Sequence, residues 1–302
     1  MEYERTQKDE DKKMIKTNNK YINLTNIKLT TKEFKKLGSF ITQVSGIKLP
    51  PAKKVLLESR LQKRLRKLNI TSFGGYFEYL FSSEGLGKEL IHLLDVVTTN
   101  KTDFFREPEH FDFMSEVAIP EIMKQKEKTS NSEILIWSAA SSTGEEPYTL
   151  AMVMELQRKY INNLKYKIIG TDLSTKVLDK AKTAVYAEER VENFSYNMKK
   201  QFLLRSKDRK KKLVRIIPEL RKKIFFSRLN LLDDKYNIPK KVDIIFCRNV
   251  FIYFEKEMQE NIVRKFYNYL NPNGYLFVGH SESLNGMDVP FKQVIPTVYK
   301  NM

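Results

Sequence analysis

Residues 134–150, ILIWSAASSTGEEPYTL, constrain the fold of this chain more than any other stretch. The apolar run 134–137 reads as a buried strand, and the small residues 138–144 read as a tight loop. Pro147 stands where a first helical turn tolerates it, and residues 150–156 carry helix formers onward. A second apolar run, 166–170, leads to Asp172. An acid at the end of the second strand of such an α/β unit accepts hydrogen bonds from ribose hydroxyls. Gly144 is the only glycine of the loop, so no G-x-G-x-x-G is present. A nucleoside without phosphates fits this unit better than a dinucleotide.

At 302 residues the chain can hold one large domain or two ordinary ones. The single cysteine, Cys247, excludes an internal disulfide. With His92, His110 and His280 as the only histidines, no metal centre is expected. Cysteine usage fits a reducing cytoplasm. The polar, charged start of the chain is unlike a signal peptide, and residues 1–27 read as a disordered tail. No apolar stretch approaches the roughly 20 residues that span a bilayer, so a soluble protein is expected. The net charge of +17 favours acidic partners, although a lysine-rich composition accounts for it as readily.

Residues 31–94 read as mostly helical. Pro50-Pro51 breaks the pattern, and 52–68 is the clearest helix. Its Leu57, Leu61, Leu65 and Leu68 recur on a core face, while Arg60, Lys63, Arg64 and Lys67 form a basic stripe on another. Phe73, Tyr76, Phe77, Leu80 and Phe81 make the apolar face of a further helix. The polar-aromatic segment 98–106, TTNKTDFFR, connects this region to the α/β part and suits a segment lying across a ligand pocket. Beyond it, a helix over 175–187 capped by Ser174, a basic insertion at 205–223, strands at 225–229 and 242–246, and a helix over 255–270 are expected. Asn271-Pro272-Asn273-Gly274 stops that helix, and strands follow at 275–278 and 294–299. This alternation predicts a mostly parallel sheet covered on both faces.

Ligands of open parallel sheets bind beyond the carboxyl ends of the strands. Those ends are 138–146, Asp172, Asn230-Leu231 and Arg248-Asn249. Asn230 and Asn249 suit an adenine edge or a ribose, and the backbone of Leu231 can read the base. An acid of the Glu145-Glu146 pair can hold an amine, and Arg106 a carboxylate. A nucleoside joined to an amino acid is S-adenosylmethionine.

The segments TTNKTDFFRE, WSAASSTGEEPYTLA, NLLD, FCRNVFIYF and NGYLFVGHSESL resemble the signatures of the CheR family, the chemotaxis-receptor glutamate methyltransferases. The resemblance covers nearly the whole chain after the tail. It implies a small all-helical N-terminal domain (28–96) and a Rossmann-like class I methyltransferase domain (97–302) with a small inserted β-subdomain at about 202–226. It implies cofactor contacts at Asn100, Thr102, Arg106, one or both of Glu145 and Glu146 with Glu146 favoured, Asp172, Asn230, Leu231, Arg248 and Asn249. Arg60, Lys63, Arg64 and Lys67 would meet the cytoplasmic helical domain of the receptor.

The reaction so implied moves a methyl group to a receptor glutamate, leaving a methyl ester and S-adenosylhomocysteine, with no metal. Tyr253 is the candidate for shaping the methyl-transfer pocket, although it also reads as a core aromatic, and Arg106 or Arg248 is the candidate for offsetting desolvation of the glutamate carboxylate. The expected enzyme is cytoplasmic, monomeric and active near the membrane without entering it. Two rival readings are a nucleic-acid methyltransferase and a non-catalytic receptor-binding module. Against the first, Arg248-Asn249-Val250-Phe251 stands where base-amine methylating enzymes carry Asn/Asp-Pro-Pro-aromatic. Reversing Arg60 and Arg64 to Glu is expected to weaken receptor methylation while sparing cofactor binding.

Overall fold

The computed structural model describes residues 27–127 and 133–302, so the tail expected at 1–27 lies outside them except for Ile27. The helical part begins with α1, Thr31–Ser45. Its capping box has the Glu33 amide donating to Thr30 and the Thr30 amide donating to the Glu33 carboxylate. Gly46, in the left-handed conformation at φ 72°, closes it. After a 3-10 turn at Pro51–Lys53 comes α2, Lys54–Leu68, which buries Leu57, Leu61 and Leu65. These leucines pack with Phe34, Leu37 and Ile41 of α1 and with the aromatic α3, Phe73–Leu80. The core closes on α4, Ser83–Val97.

The expected basic stripe of α2 is split. Arg64 grips the fully buried Glu89 of α4, with Nε 2.7 and 2.9 Å from the two carboxylate oxygens, and Tyr76 Oη donates to the same group at 3.0 Å. Arg60 Nη1 donates to the carbonyls of Val96 and Thr98. Arg60 and Arg64 are thus engaged within the helical part, whereas Lys63 and Lys67 are the exposed members of the stripe. The two arginines stand roughly 60° round the helix from Lys63 and Lys67, and their long stems reach inward to partners that helix spacing does not reveal.

In the α/β part, α5, Glu109–Phe113, and α6, Ile119–Lys126, are joined by a π-helical turn. There follow β1 (Glu133–Ala139), α7 (Glu145–Gln157), β2 (Lys165–Asp172) and α8 (Thr175–Thr183). Next come β3 (Val185–Ala187), α9 (Tyr196–Phe202), β4 (Leu203–Arg205), β5 (Leu213–Ile216), α10 (Pro218–Arg221) and β6 (Ile224–Arg228). The chain ends with β7 (Val242–Cys247), α11 (Lys256–Tyr269), β8 (Leu270–Val278), β9 (Phe291–Ile295) and β10 (Val298–Asn301). The main sheet has the order β6-β2-β1-β7-β8-β10-β9. Pairing is parallel from β6 to β8, and β10 runs antiparallel to both its neighbours.

Alternate residues of the strands face opposite layers. Ile134, Ile136, Ile244, Phe246 and Phe277 pack with the α7 side, whereas Trp137, Ile245, Cys247, Leu276 and Val278 pack with Ile262, Val263 and Phe266 of α11. The strand order reverses between β1 and β7, which opens a crevice at their carboxyl ends.

Three expected boundaries differ. The small sheet, β3-β5-β4, reaches back to Val185, outside the 202–226 expected for the inserted subdomain, and Ile224 onward belongs to the main sheet. The helix expected to run through 187 stops at Thr183, because Ala184 turns left-handed at φ 55°, a stop that no glycine announces. The last strand expected at 294–299 is instead a hairpin of β9 and β10. It turns at Pro296-Thr297, with Thr297 at φ 62°.

Candidate active site

A single pocket at the carboxyl ends of β1, β2 and β7 gathers most of the residues singled out in the sequence. Asn100, Thr102 and Arg106 line it from the connector, Ala140 to Ser142 and Glu146 from the β1–α7 turn, and Asp172 from β2. Asn230 and Leu231 come from the loop after β6, and Arg248, Asn249 and Tyr253 from the segment after β7. Lys53 of the helical part lines it as well. Glu145 does not.

The β1–α7 turn is shaped by backbone that few residues adopt. Ala140 at φ 61° and Ser142 at φ 49° are left-handed, as are Asn249 at 59° and, beside Arg106, Phe105 at 51° and Glu107 at 57°. Strain of this kind persists where the surrounding structure enforces it. Gly144 caps α7 at φ 96°, and a Cβ there would lie 2.9 Å from Ala181 Cβ and from Tyr186 Oη.

The acid pair is divided. Glu145 is fully buried and turned away from the pocket, with Arg190 Nη2 donating to its Oε1 at 2.8 Å and Thr143 Oγ1 to its Oε2 at 2.6 Å. Of the two acids between which the sequence left the contact open, Glu145 is the one turned from the pocket: the first helical residue points back along α7, and a distant arginine claims it. Arg190 also pairs with Asp103 at 2.8 Å and donates to the Thr102 carbonyl, so it staples the connector to α7. Glu146 faces the pocket. Ser138 Oγ donates to its Oε1 at 2.7 Å and Arg248 Nε to its Oε2 at 2.8 Å.

Asp172 lies at the end of β2 as expected. The amides of Ser142 and Ser174 donate to its two oxygens at 2.8 and 2.9 Å. Burial pushes its carboxyl up to about 6, against the pull of those amides. Each oxygen retains acceptor capacity for a ligand hydroxyl. Beside it, the buried Ser141 Oγ has no hydrogen-bond partner among the described residues. That orphaned hydroxyl, the carboxylates of Asp172 and Glu146 and the guanidinium of Arg106 fit a ligand carrying hydroxyls, an amine and a carboxylate.

Arg248 is buried and already committed. Besides Glu146, it donates from Nη2 to the Arg106 carbonyl at 2.7 Å and meets His110 Nδ1 at 2.9 Å and Glu107 at 3.4 Å. Its guanidinium lies against the stacked rings of Phe111 and Phe246, 5.3 and 5.6 Å from their centroids. Asn249 donates to Glu107 through Nδ2 and to Glu282 through its amide. Burial raises the Glu107 carboxyl, but the Asn249 hydrogen bond and the Arg248 charge outweigh it and hold the group below its ordinary range. Asn230 Nδ2 donates to the Val44 carbonyl of the helical part at 2.8 Å, and its Oδ1 accepts from the Leu232 amide. The Leu231 carbonyl is likewise taken, by Tyr236 Oη and Lys265 Nζ.

Glu107, His110, Arg190 and Glu282 were not singled out by sequence reasoning. Glu107 follows Arg106 directly in the FFRE segment, and Glu282 sits in GHSES, so both lay inside quoted motifs without an assigned role. Glu282 accepts from the amides of Asn249, Phe251 and Gly279 and so holds the turn after β7. Glu107, His110 and His280 offer three ligand atoms within 4.8 Å of one another, but His110 Nδ1 already accepts from Arg248. The guanidinium is the cation of that corner.

A parallel sheet of this order, with an acid closing its second strand and a pocket suited to a nucleoside joined to an amino acid, defines a Rossmann-like S-adenosylmethionine-dependent methyltransferase. Residues 100–300 match the family model described as the CheR methyltransferase, SAM binding domain, and residues 32–98 match the CheR methyltransferase, all-alpha domain. The chain belongs to the CheR methyltransferase family. It is 39% identical to the chemotaxis protein methyltransferase of Borreliella burgdorferi, over 95% of this chain and 99% of that one. To the chemotaxis protein methyltransferase of Escherichia coli it is 36% identical, over 90% and 91% of the two chains. Among solved structures, PKMT2 from Rickettsia typhi in complex with AdoHcy is similar at 20% identity, over 48% of this chain and 20% of that one. The TM-score of that pair is 0.30. The chain is an enzyme, a methyltransferase of chemotaxis that uses S-adenosylmethionine. No helix among the described residues is long and apolar enough to cross a membrane.

Proposed function

We propose that the enzyme methylates side-chain carboxylates of glutamates in the cytoplasmic helical domain of chemoreceptors, leaving neutral methyl esters. The observation that carries this reading is the convergence of Asp172, Glu146 and Arg106 on one pocket with Tyr253 on its wall. Asp172 would accept from the ribose hydroxyls, Glu146 would hold the ammonium of the methionine end, and Arg106 its carboxylate. Asn100, Thr102 and the side chain of Leu231 would complete the walls. Arg248, Asn249 and Asn230 line the pocket and also hold Glu146, Glu107 and the β6 loop in place, and the asparagine side chains keep donor and acceptor capacity for the cofactor.

The sulfonium supplies an electrophilic methyl group. A glutamate with a pKa of about 4.3 is ionised at neutral pH and needs no general base. The pocket's work is alignment and exclusion of water. Tyr253 stands in a 3-10 turn on the pocket wall, and its carbonyl accepts from the Lys48 amide at 3.1 Å, which ties its backbone to the helical part. His110 is no candidate base. Burial and the Arg248 charge push it down to about 4, and both ring nitrogens are occupied.

The exposed Lys63 and Lys67 of α2 would face the receptor helices, with the helical part (28–96) as docking domain and the remainder (97–302) as catalytic domain. A cytoplasmic enzyme suits that receptor domain. A monomer suffices, because one chain supplies every pocket residue. The test is transfer of radiolabelled methyl from S-adenosylmethionine to receptor-containing membranes. Base-labile release of the label as methanol is expected, and label stable to base would defeat the reading.

A further inference from the structure

Two carboxylates must meet this pocket, one on the methyl donor and one on the receptor glutamate. Four cations line it: Lys53, Lys101, Arg106 and Arg248. Arg248 is committed to Glu146, Glu107 and the Arg106 carbonyl. Arg106 is the counterion proposed for the donor. Lys101 stands on the exposed rim, where its carbonyl accepts from Arg106 Nη1. Lys53 is half-buried, and no carboxylate among the described residues pairs with it. Its ammonium lies 5.2 Å from the centroid of the Tyr253 ring. A cation over a ring at a half-exposed site is held loosely and can turn to an incoming anion.

The turn that carries Lys53 is fixed against the catalytic part. The Lys48 amide donates to the Tyr253 carbonyl at 3.1 Å, and the Lys48 ammonium pairs with Glu255 at 2.8 Å. Gly46 is so close that a Cβ would lie 2.6 Å from the Phe254 ring. Lys53 thus belongs to the site as firmly as Tyr253 does, although it comes from the helical domain.

We infer that Lys53 reads the charge of the incoming glutamate, holding the substrate as a carboxylate and releasing it as an uncharged ester. This deepens the function proposed above and rests on it. An ammonium is a point charge that engages one carboxylate oxygen and leaves the other to attack, whereas a guanidinium fork occupies both. Methyl transfer removes the charge, so the product loses this contact. A glutamine side chain, neutral and of similar shape, should be held as weakly as the ester.

The experiment measures binding of a receptor cytoplasmic fragment carrying Glu or Gln at the methylated position, by calorimetry with S-adenosylhomocysteine present. Wild-type enzyme is expected to bind the Glu form about tenfold tighter, as expected for a single desolvated charge contact. Lys53→Met should bring the ratio close to one, and Lys53→Arg should keep it, with melting temperatures confirming that both variants fold. A docking contact elsewhere on the receptor weakens both forms alike, so an unchanged ratio in Lys53→Met overturns the inference. A wild-type ratio of one does the same. Failure of the function itself has a separate signature: no base-labile label on the Glu fragment with wild-type enzyme.

Discussion

Arg248 Nε donates to Glu146 Oε2 at 2.8 Å across the seam between β7 and α7, and both side chains are almost wholly buried. A buried pair of this kind is costly to break, because the surviving partner is left charged without a counterion. Arg248→Met should therefore lower the unfolding free energy by about 3–5 kcal/mol, with Arg248→Lys in between. Urea unfolding followed by circular dichroism measures it. A loss under about 1 kcal/mol would mean that Glu146, Glu107 and His110 do not depend on this guanidinium.

Glu145 and Glu146 are neighbours with opposite duties. Glu146→Gln should weaken S-adenosylmethionine binding about tenfold, the order of one charge-assisted hydrogen bond. Glu145→Gln should leave affinity within about twofold while costing roughly 1–3 kcal/mol of stability through the Arg190 staple. Calorimetric titration of both variants decides the matter, and the reverse pattern would show that the pocket has been assigned the wrong acid.

Asp172 gives cofactor binding a pH dependence. Its folded carboxyl titrates near 6, so below that it is protonated and can no longer accept from both ribose hydroxyls. Affinity should fall about tenfold between pH 7 and pH 5, one decade per unit below the pKa. Asp172→Asn should bind weakly at every pH without this slope. The same shift has a consequence for stability. The folded state retains a proton that the unfolded chain releases above about 4, so this group's contribution is present at low pH and lost as pH rises through 6.

His110 works in the opposite direction. Its folded pKa is depressed to about 4 from an ordinary value of 6.5, so the folded state binds fewer protons in that window. The stability it confers is present above pH 6.5 and lost as pH falls through 4. Nitrogen NMR should show Nδ1 as acceptor and Nε2 protonated toward Thr297 until the solution is strongly acid. A midpoint above 6 would contradict the burial described.

On α2, Lys63→Glu with Lys67→Glu should leave melting unchanged and reduce receptor methylation at low salt, with the difference shrinking as salt screens the contact. Arg64→Glu should fail to fold, because it sets a second carboxylate against the fully buried Glu89. This replaces the sequence-based expectation that reversing Arg60 and Arg64 would spare the cofactor site.

The sheet and the place of the pocket were legible because apolar runs ending in polar residues mark strand ends, and strand ends converge in parallel sheets. The pairs Arg64–Glu89 and Arg190–Glu145 were not, since each joins residues far apart in the chain and neither leaves a periodic trace. Left-handed residues other than glycine hid the ends of α8 and the β9–β10 turn. The same blindness explains why Lys53, two residues past a proline pair, looked like the start of a helix rather than the wall of a site.

The hydrogen bond from Asn230 to the Val44 carbonyl joins the loop after β6 to the end of α1. One face of that loop looks into the pocket, and α1 belongs to the part that would meet the receptor. Any tilt of the helical domain on its target must be shared by a wall of the cofactor chamber. A shift that carried this bond with it would reshape that wall, and linkage would then make donor and receptor alter each other's affinity by the same factor.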